Sequence, residues 1–211
     1  MLESWNGKCA VITLTLLMLS GCATRPSDVS QSQRSAQIAQ QQLNQLQQWS
    51  VSGKLAIITP TERKSAYLSW QQQNDSVTMT LTTIVGTTIA KLHYDGNIAT
   101  LTADDQTWQD SSPSALIYRV TGWDVPVESL SHWMKGQVKR DVVSEYFDNG
   151  LVKQIRAECS SCLPWQINYS TYGEFILNEH LFTLPTAMRL TQALTQTRLI
   201  LRIDSWKAED V

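Results

Sequence analysis

Histidine and cysteine are nearly missing from this chain, at three and four residues among 211. His93, His132 and His180 stand far apart, so no helix offers the paired histidines of a zinc enzyme. Glycine is also scarce, at nine residues, and no glycine-rich loop of the kind that cradles phosphate occurs. Charge of either sign is in short supply: charged residues make up 17% and leave a formal net charge of −2. Such a balance lacks the basic excess that nucleic acid demands, so nucleic acid is not an expected partner. Asp104-Asp105 supplies too few oxygens in a run for a hard cation and reads as a solvated turn. Glu145 and Glu158 have no acid–base partner in view, Lys139-Arg140-Asp141 reads as a solvated strand start, and no nucleophile motif is found. Neither enzymatic activity nor a metal or cofactor is expected.

Long apolar runs are missing too, with one exception. Ala10-Val-Ile-Thr-Leu-Thr-Leu-Leu-Met-Leu19 follows Lys8 and is followed by Ser20-Gly21-Cys22. It is too short for a membrane-spanning helix and has the basic, apolar and small-residue order of a secretory signal over residues 1–21. Leu19-Ser-Gly-Cys22 resembles a bacterial lipobox, which implies cleavage before Cys22 and lipidation of that cysteine. Ala23 stands where an aspartate would retain a lipoprotein in the inner membrane, and so implies outer-membrane delivery. With Cys9 lost and Cys22 consumed, Cys159 and Cys162 remain in Glu-Cys-Ser-Ser-Cys-Leu-Pro-Trp165. This pair could form a small disulfide, a redox couple or half of a zinc site. Zinc needs two further ligands and a redox couple wants a helix start, so a disulfide across a hairpin turn is the expected state.

What the chain does have is tryptophan, eight in all, each a large apolar area that must be buried or bound. Residues 22–34, rich in Ser, Gln, Pro and Arg, read as the lipidated end and a tether; residues 35–211 form one domain. Ile38, Leu43, Leu46 and Trp49 recur at near-helical spacing over Ser35–Gln48, on a glutamine-rich helix. From Trp49 the period becomes two. Strands are expected through Trp49–Ile57, Ala66–Trp70, Val77–Leu81, Ile89–Tyr94 and Ile98–Thr102. Ser112-Pro113 opens a helix through Leu116, Ile117 and Val120, and Pro126 opens a second through Leu130, Trp133 and Met134. Strands resume at Val142–Phe147, turn at Asp148-Asn-Gly150, and return at Leu151–Glu158, Trp165–Tyr169, a short piece at Phe175–Leu177, Ala187–Leu190 and Leu199–Trp206. The fold expected is α+β and mainly β: an incomplete antiparallel β-barrel of about ten or eleven strands, with a helical lid over an apolar cavity.

One turn does not fit the usual chemistry. Between the third and fourth strands, Ile84 and Val85 precede Gly86, although turns commonly carry Gly, Asn, Asp, Ser or Pro. Two β-branched side chains at a hairpin tip face water unless something covers them. Trp70, Trp133, Trp165 and Trp206 read most simply as core.

Gly53-Lys-Leu-Ala-Ile57, Leu68-Ser-Trp70-Gln-Gln, Leu81-Thr-Thr-Ile-Val-Gly-Thr88, Gly122-Trp-Asp-Val-Pro126-Val-Glu-Ser-Leu130, Trp133-Met-Lys-Gly136 and Ile203-Asp-Ser-Trp206 together resemble the outer-membrane lipoprotein receptor family LolB. The Cys159–Cys162 hairpin is a departure from that pattern. The resemblance implies a lidded half-barrel whose cavity takes lipoprotein acyl chains, received from the periplasmic carrier LolA and passed to outer-membrane lipid by a non-covalent route. It implies a monomer on the periplasmic face of the outer membrane. It also implies roles for residues: Trp70, Leu116, Leu130, Trp133 and Met134 at the cavity and lid, and Ile84, Val85 and Gly86 as a membrane-insertion loop. Two other readings fit the residues alone, an envelope scaffold with a filled core and a lipid-modifying enzyme with an apolar tunnel.

Overall fold

The change from helical to alternating apolar spacing near Trp49 marks the junction between a helix and the sheet. The structure, a computed structural model, describes residues 29–138, 143–157 and 163–208; Cys22, Cys159 and Cys162 lie outside them. Helix α1 spans Val29–Gln45, starting inside the stretch expected to be tether. Leu43 and Leu46 are buried, but Ile38 faces solvent. The last carbonyls of α1 have no partner within the helix, and Lys135 supplies one: its Nζ donates to Leu43 O (3.3 Å) and Leu46 O (2.9 Å). A cation at a helix C-terminus also meets the negative end of the helix dipole.

Five hairpin connections then build one side of the sheet: β1 (Gln48–Ile58), β2 (Arg63–Gln73), β3 (Ser76–Thr82), β4 (Thr88–Tyr94), β5 (Ala99–Ala103) and β6 (Gln106–Asp110). Two helices follow, α2 (Pro113–Thr121) and α3 (Val127–Met134). The other side is β7 (Val143–Tyr146), β8 (Val152–Ala157), β9 (Trp165–Leu177), β10 (His180–Gln192) and β11 (Thr197–Ala208). The sheet is antiparallel and open, in the order β6-β5-β4-β3-β2-β1-β11-β10-β9-β8-β7. β1 and β11 are the seam between its two halves, so the first and last strands hold the molecule together.

Three elements differ from the sequence expectation. β6 carries Trp108 as its one large apolar residue, so no alternation announces an edge strand. The expected strand at Trp165 and the short piece at Phe175 are one strand of 13 residues. β10 begins at His180 and runs through Pro185, where its pairing with β9 shifts register. A bulge is where a strand tolerates a residue that cannot donate to the ladder, and Pro185 O is in turn taken by Trp206 Nε1 at 3.0 Å.

The pattern Leu199, Leu201, Ile203, Trp206 skips a beat after Ile203, and the ladder shows why. Ser52 pairs with Ser205 but Gly53 pairs with Ile203. Asp204 is the extra residue of a bulge, which turns Trp206 back toward the core. There Trp206 lies 5.1 Å from Trp49, and Trp49 stacks on Trp70 at 6.5 Å with the rings nearly parallel. These join one continuous core of inward-facing residues from every strand from β1 to β5 and β8 to β11.

Lys135 is buried with no carboxylate against it among the ion pairs of the described residues, and that burial lowers its pKa from 10.5 to about 8. Between those values the unfolded chain keeps a proton that the folded chain has lost, so stability rises with pH across the window. Burial also raises the pKa values of Tyr169 and Tyr172 above the ordinary 10.0. Above that pH the folded chain retains protons the unfolded one gives up, and stability falls. Thermal unfolding followed from pH 7 to 11 should therefore show a maximum near ~10. Lys135→Met should remove the rising limb and keep the falling one.

Candidate functional site

Inward-facing apolar residues leave a space where the two halves of the sheet curl toward each other. Leu68 and Trp70 of β2, Trp108 of β6, and Leu190 and Leu201 of β10 and β11 all border one cavity of about 540 Å³, within the ~300–1,000 Å³ usual for ligand sites. Strands far apart in the sheet order share it, which a flat sheet could not do. Polar groups are confined to a few lining positions, Lys64, Ser65, Asp104, Gln106 and Thr121. The sheet's share of the lining comes chiefly from the later residues of β1, β3, β5 and β10 and the earlier residues of β2, β4, β6 and β11, and the rest from α2, α3 and the link between them. Those strand segments lie toward one end of the sheet, the end from which the β3–β4 turn projects, with Trp70 deeper along β2.

The lid is built from α2 and α3. Ser112 Oγ caps α2 by accepting the Ala115 N–H at 3.2 Å, and Pro113 occupies its first turn. Gly122 ends the helix with φ +74°, its N–H bonding Tyr118 O at 2.7 Å, the left-handed stop that glycine makes without strain. Glu128 sits in the first turn of α3, where a carboxylate is favoured. It accepts Ser112 Oγ at 2.9 Å and also Ser114 Oγ, which locks the starts of the two helices together.

A clasp joins lid to sheet. Trp123 Nε1 donates to Glu62 Oε1 at 2.7 Å, Lys64 Nζ lies 3.0 Å from Glu62 Oε2, and the same ammonium sits 5.3 Å from the Trp123 ring centre. The Lys64 hydrogen bond, with that of Trp123, holds the Glu62 carboxyl below its ordinary pKa. At the other side Arg119 pairs with Asp110 at 2.9 Å and donates to Gln109 O at 2.7 Å, tying α2 to the edge strand β6.

The β3–β4 turn resolves the misfit of Ile84 and Val85. Gly86 N–H bonds Thr83 O at 3.0 Å and Thr83 N–H bonds Thr87 O at 2.8 Å. This is a type I turn closed by a left-handed residue, and Gly86 takes the positive φ, +89°. Ile84 and Val85 need no special backbone, and both are 83% exposed. The fold thus permits apolar residues at the crest without requiring them, and water gives them no reason to be there.

Trp70, Leu130 and Met134 border the cavity. Leu116 and Trp133 are buried but are not among the lining residues; Trp133 O accepts the Tyr169 hydroxyl at 2.7 Å. Trp108, Trp123 and the Glu62–Lys64 pair escaped the sequence reading. Trp123 falls between two helices, where no period picks it out. Leu55, Leu68, Leu81 and Leu201 share the inward alternation and carried a usable signal. Among the described residues no cluster of three metal-ligating side chains occurs, and no helix is long and apolar enough to cross a membrane.

A curled, open antiparallel sheet lidded by two helices over an apolar cavity defines the class: a mainly β, incomplete-barrel protein with a lidded apolar interior. The family model for the outer membrane lipoprotein LolB matches residues 47–206, and the chain belongs to that family. The outer-membrane lipoprotein LolB of Shewanella loihica is 32% identical over 205 residues, covering 96% of this chain and 88% of the relative. That of Aeromonas salmonicida is 33% identical over 196 residues, covering 90% and 92%. Among solved structures, the LolA superfamily protein NE2245 from Nitrosomonas europaea shares the fold, with a TM-score of 0.54 over 85% of this chain and 94% of that one at 11% identity. Membership gives the chain an outer-membrane location and a part in lipoprotein localization, in a family of localization proteins and not of enzymes.

Proposed function

We propose that this chain is the receiving end of a lipoprotein relay. It accepts lipoproteins from a periplasmic carrier of the LolA kind, holds their acyl chains in the lidded cavity, and inserts them into the inner leaflet of the outer membrane. The observation that carries this reading is one of placement: the apolar cavity and the exposed Ile84–Val85 crest lie at the same end of one sheet. Cargo leaving the cavity and a crest entering lipid then share one direction.

Energetics require such a relay. Exposing an acyl chain of ~16 carbons to water costs about 12 kcal/mol, at ~0.8 kcal/mol per CH₂. Transfer from one apolar cavity to another avoids most of that, and a modest difference in affinity sets its direction without a nucleotide. The cavity walls, with Trp70, Leu130 and Met134 among them, supply the apolar surface, and the Glu62–Trp123 clasp is the contact that must break for the lid to swing. Leu116 and Trp133 act beneath, as the packing that keeps the lid helices rigid.

Mixing this protein with a carrier already loaded with a lipoprotein tests the reading. Cargo should pass to the chain and not detectably back; retention by the carrier, with the chain correctly folded, would overturn it. The proposed anchor has its own test. Cys22→Ala should partition as a soluble periplasmic protein after cell fractionation, whereas an unchanged membrane fraction would remove lipidation of Cys22 from the account. For Cys159 and Cys162 we propose a disulfide, which thiol titration of exported protein checks directly.

A further inference from the structure

The β10–β11 turn carries a second misfit. It runs Gln192-Ala-Leu-Thr-Gln-Thr197, and Leu194 at its crest is 74% exposed. The turn is not a frayed tip. Gln192 is wholly buried, and its Oε1 accepts both Thr195 N–H (2.6 Å) and Thr195 Oγ1 (2.8 Å), tying the loop down from beneath. Gln196 takes the positive φ, +54°, as Gly86 does in the β3–β4 turn. Leu194 is thereby held outward on a fixed backbone.

A single exposed leucine needs no explanation. Its position does. Pairing places Thr82 opposite Tyr67, Tyr67 opposite Lys54, and Lys54 opposite Arg202, so the end of β3 and the start of β11 point the same way along the sheet. Among the described residues the most exposed large apolar side chains are Ile84 and Val85 at 83%, Ile176 at 76% and Leu194 at 74%. All but Ile176 lie at this end, which is also the end that the cavity reaches.

An independent observation lies between the two turns. Arg63 of β2 pairs with Ile58 of β1, and Ile58 pairs with Arg198 of β11. Residues directly opposite one another share a face, so both arginines stand on the outer face, two strands apart. Both are exposed, and neither joins an ion pair among the described residues. The carboxylates at this end are Glu62, already held by Lys64 and Trp123, Asp124, next to Trp123 in the link between α2 and α3, and Asp104-Asp105, in the β5–β6 turn beside the sheet edge; among the described residues none of them pairs with either arginine. Apolar crests flanking unpaired arginines match a phospholipid surface with anionic headgroups.

We propose that the Leu194 turn is a second lipid-contacting point, so that this end of the sheet rests on the membrane at Ile84–Val85 and at Leu194, with Arg63 and Arg198 over headgroups between them. The proposal rests on the reading of the β3–β4 turn as a membrane contact and adds orientation to it. One crest lets the domain pivot about its contact. Two crests across a curled sheet fix the angle at which the cavity mouth meets the lipid.

The full chain is placed in vesicles of phosphatidylethanolamine and phosphatidylglycerol, with a fluorophore on an unnatural amino acid at position 85, 194 or 178. Position 178 is the β9–β10 turn at the opposite end of the sheet. Nitroxide-labelled lipid should quench positions 85 and 194 and leave 178 bright. Quenching at 85 alone overturns the second contact and leaves the relay reading in place; quenching at neither overturns both. Quenching at 194 alone keeps the Leu194 contact and removes the β3–β4 turn from the account. As a functional arm, Leu194→Asp should slow insertion on the order of five-fold with cargo acceptance unchanged, Leu194→Ile restoring the rate. Insertion at the original rate in Leu194→Asp would overturn the proposal.

Discussion

Val85→Glu should accept cargo from a loaded carrier at the normal rate and fail to pass it to the membrane. Val85 is 83% exposed, and no hydrogen bond of the turn depends on its side chain. Substitutions of that kind usually move stability by no more than about 0.5 kcal/mol. The cavity wall nearest the turn is formed by Leu81, Ile89 and Ala90, none of which the substitution touches. The membrane step is different. A carboxylate at the crest must be dehydrated or protonated to reach the acyl region, where acidic side chains cost about 2.5–3.5 kcal/mol at the bilayer centre and less near the surface. A penalty of about 2 kcal/mol corresponds to a rate on the order of thirty-fold slower. The assay is two-stage: carrier-to-receptor transfer measured without lipid, then insertion measured with vesicles. Equal insertion by both proteins would remove the crest from the mechanism, and a defect in the first stage would mean that the turn meets the carrier instead. Val85→Leu, apolar and a little larger, should insert as well as the original.

How far this was readable in the sequence depended on which physical signal each element carries. β1 to β5 announce themselves because one face is buried and the other wet, so apolar residues alternate. The lid helices announce themselves through Ser112-Pro113 and Gly122, since capping is local chemistry. β6 does not, because an edge strand with one buried side needs only Trp108 to hold it. β9 hides its continuity because Ser170, Thr171 and Gly173 sit mid-strand, where the β9–β10 ribbon runs beyond β8 and β11 and is wet on its outer face. The cavity is a harder case. Leu116 and Leu130 are both apolar and both on lid helices, yet Leu130 borders the space and Leu116 does not. Alternation and helical period say which residues point inward. They do not say whether residues from opposite halves of a curled sheet touch, and that alone separates a filled core from a pocket. The Glu62–Trp123 clasp joins residues 61 apart in sequence, and Leu194 gains meaning only beside Val85, three strands distant in the sheet's order. Both are properties of the folded, curled sheet and have no local sequence signal.

Gly53→Ala should be among the most damaging single-methyl additions to this protein. The added Cβ would lie 2.1 Å from Arg202 O and 2.9 Å from Ile203 Cα, both backbone atoms of β11 that no rotamer change can clear. The close approach is the bulge itself, where Gly53 shifts from the register of Ser205 to that of Ile203. Gly53 is thus required by distance and not by its φ. Gly86→Ala offers the contrast: its Cβ would meet nothing within 4 Å, and its cost comes from φ +89° alone, ~1–2 kcal/mol for a left-handed residue. At Gly53 the seam strands must part or the bulge must move, and overpacking of a well-packed site costs typically about 1–3 kcal/mol, occasionally more. Taking 3 kcal/mol, and ~2–4 °C per kcal/mol for a domain of this size, the melting temperature should fall by roughly 6–12 °C. Calorimetry measures it. The functional consequence follows from the same geometry: Leu55 and Ile57 of β1 face the cavity and pair with Leu201 and Leu199 of β11, which also line it. Prising the seam apart opens the cavity wall to water, so the surviving folded fraction of Gly53→Ala should accept cargo poorly even below its melting temperature. A variant as stable as the original would show that β1 and β11 do not meet in this register. A variant destabilised but fully competent in transfer would show that the acyl chain does not lie against the seam.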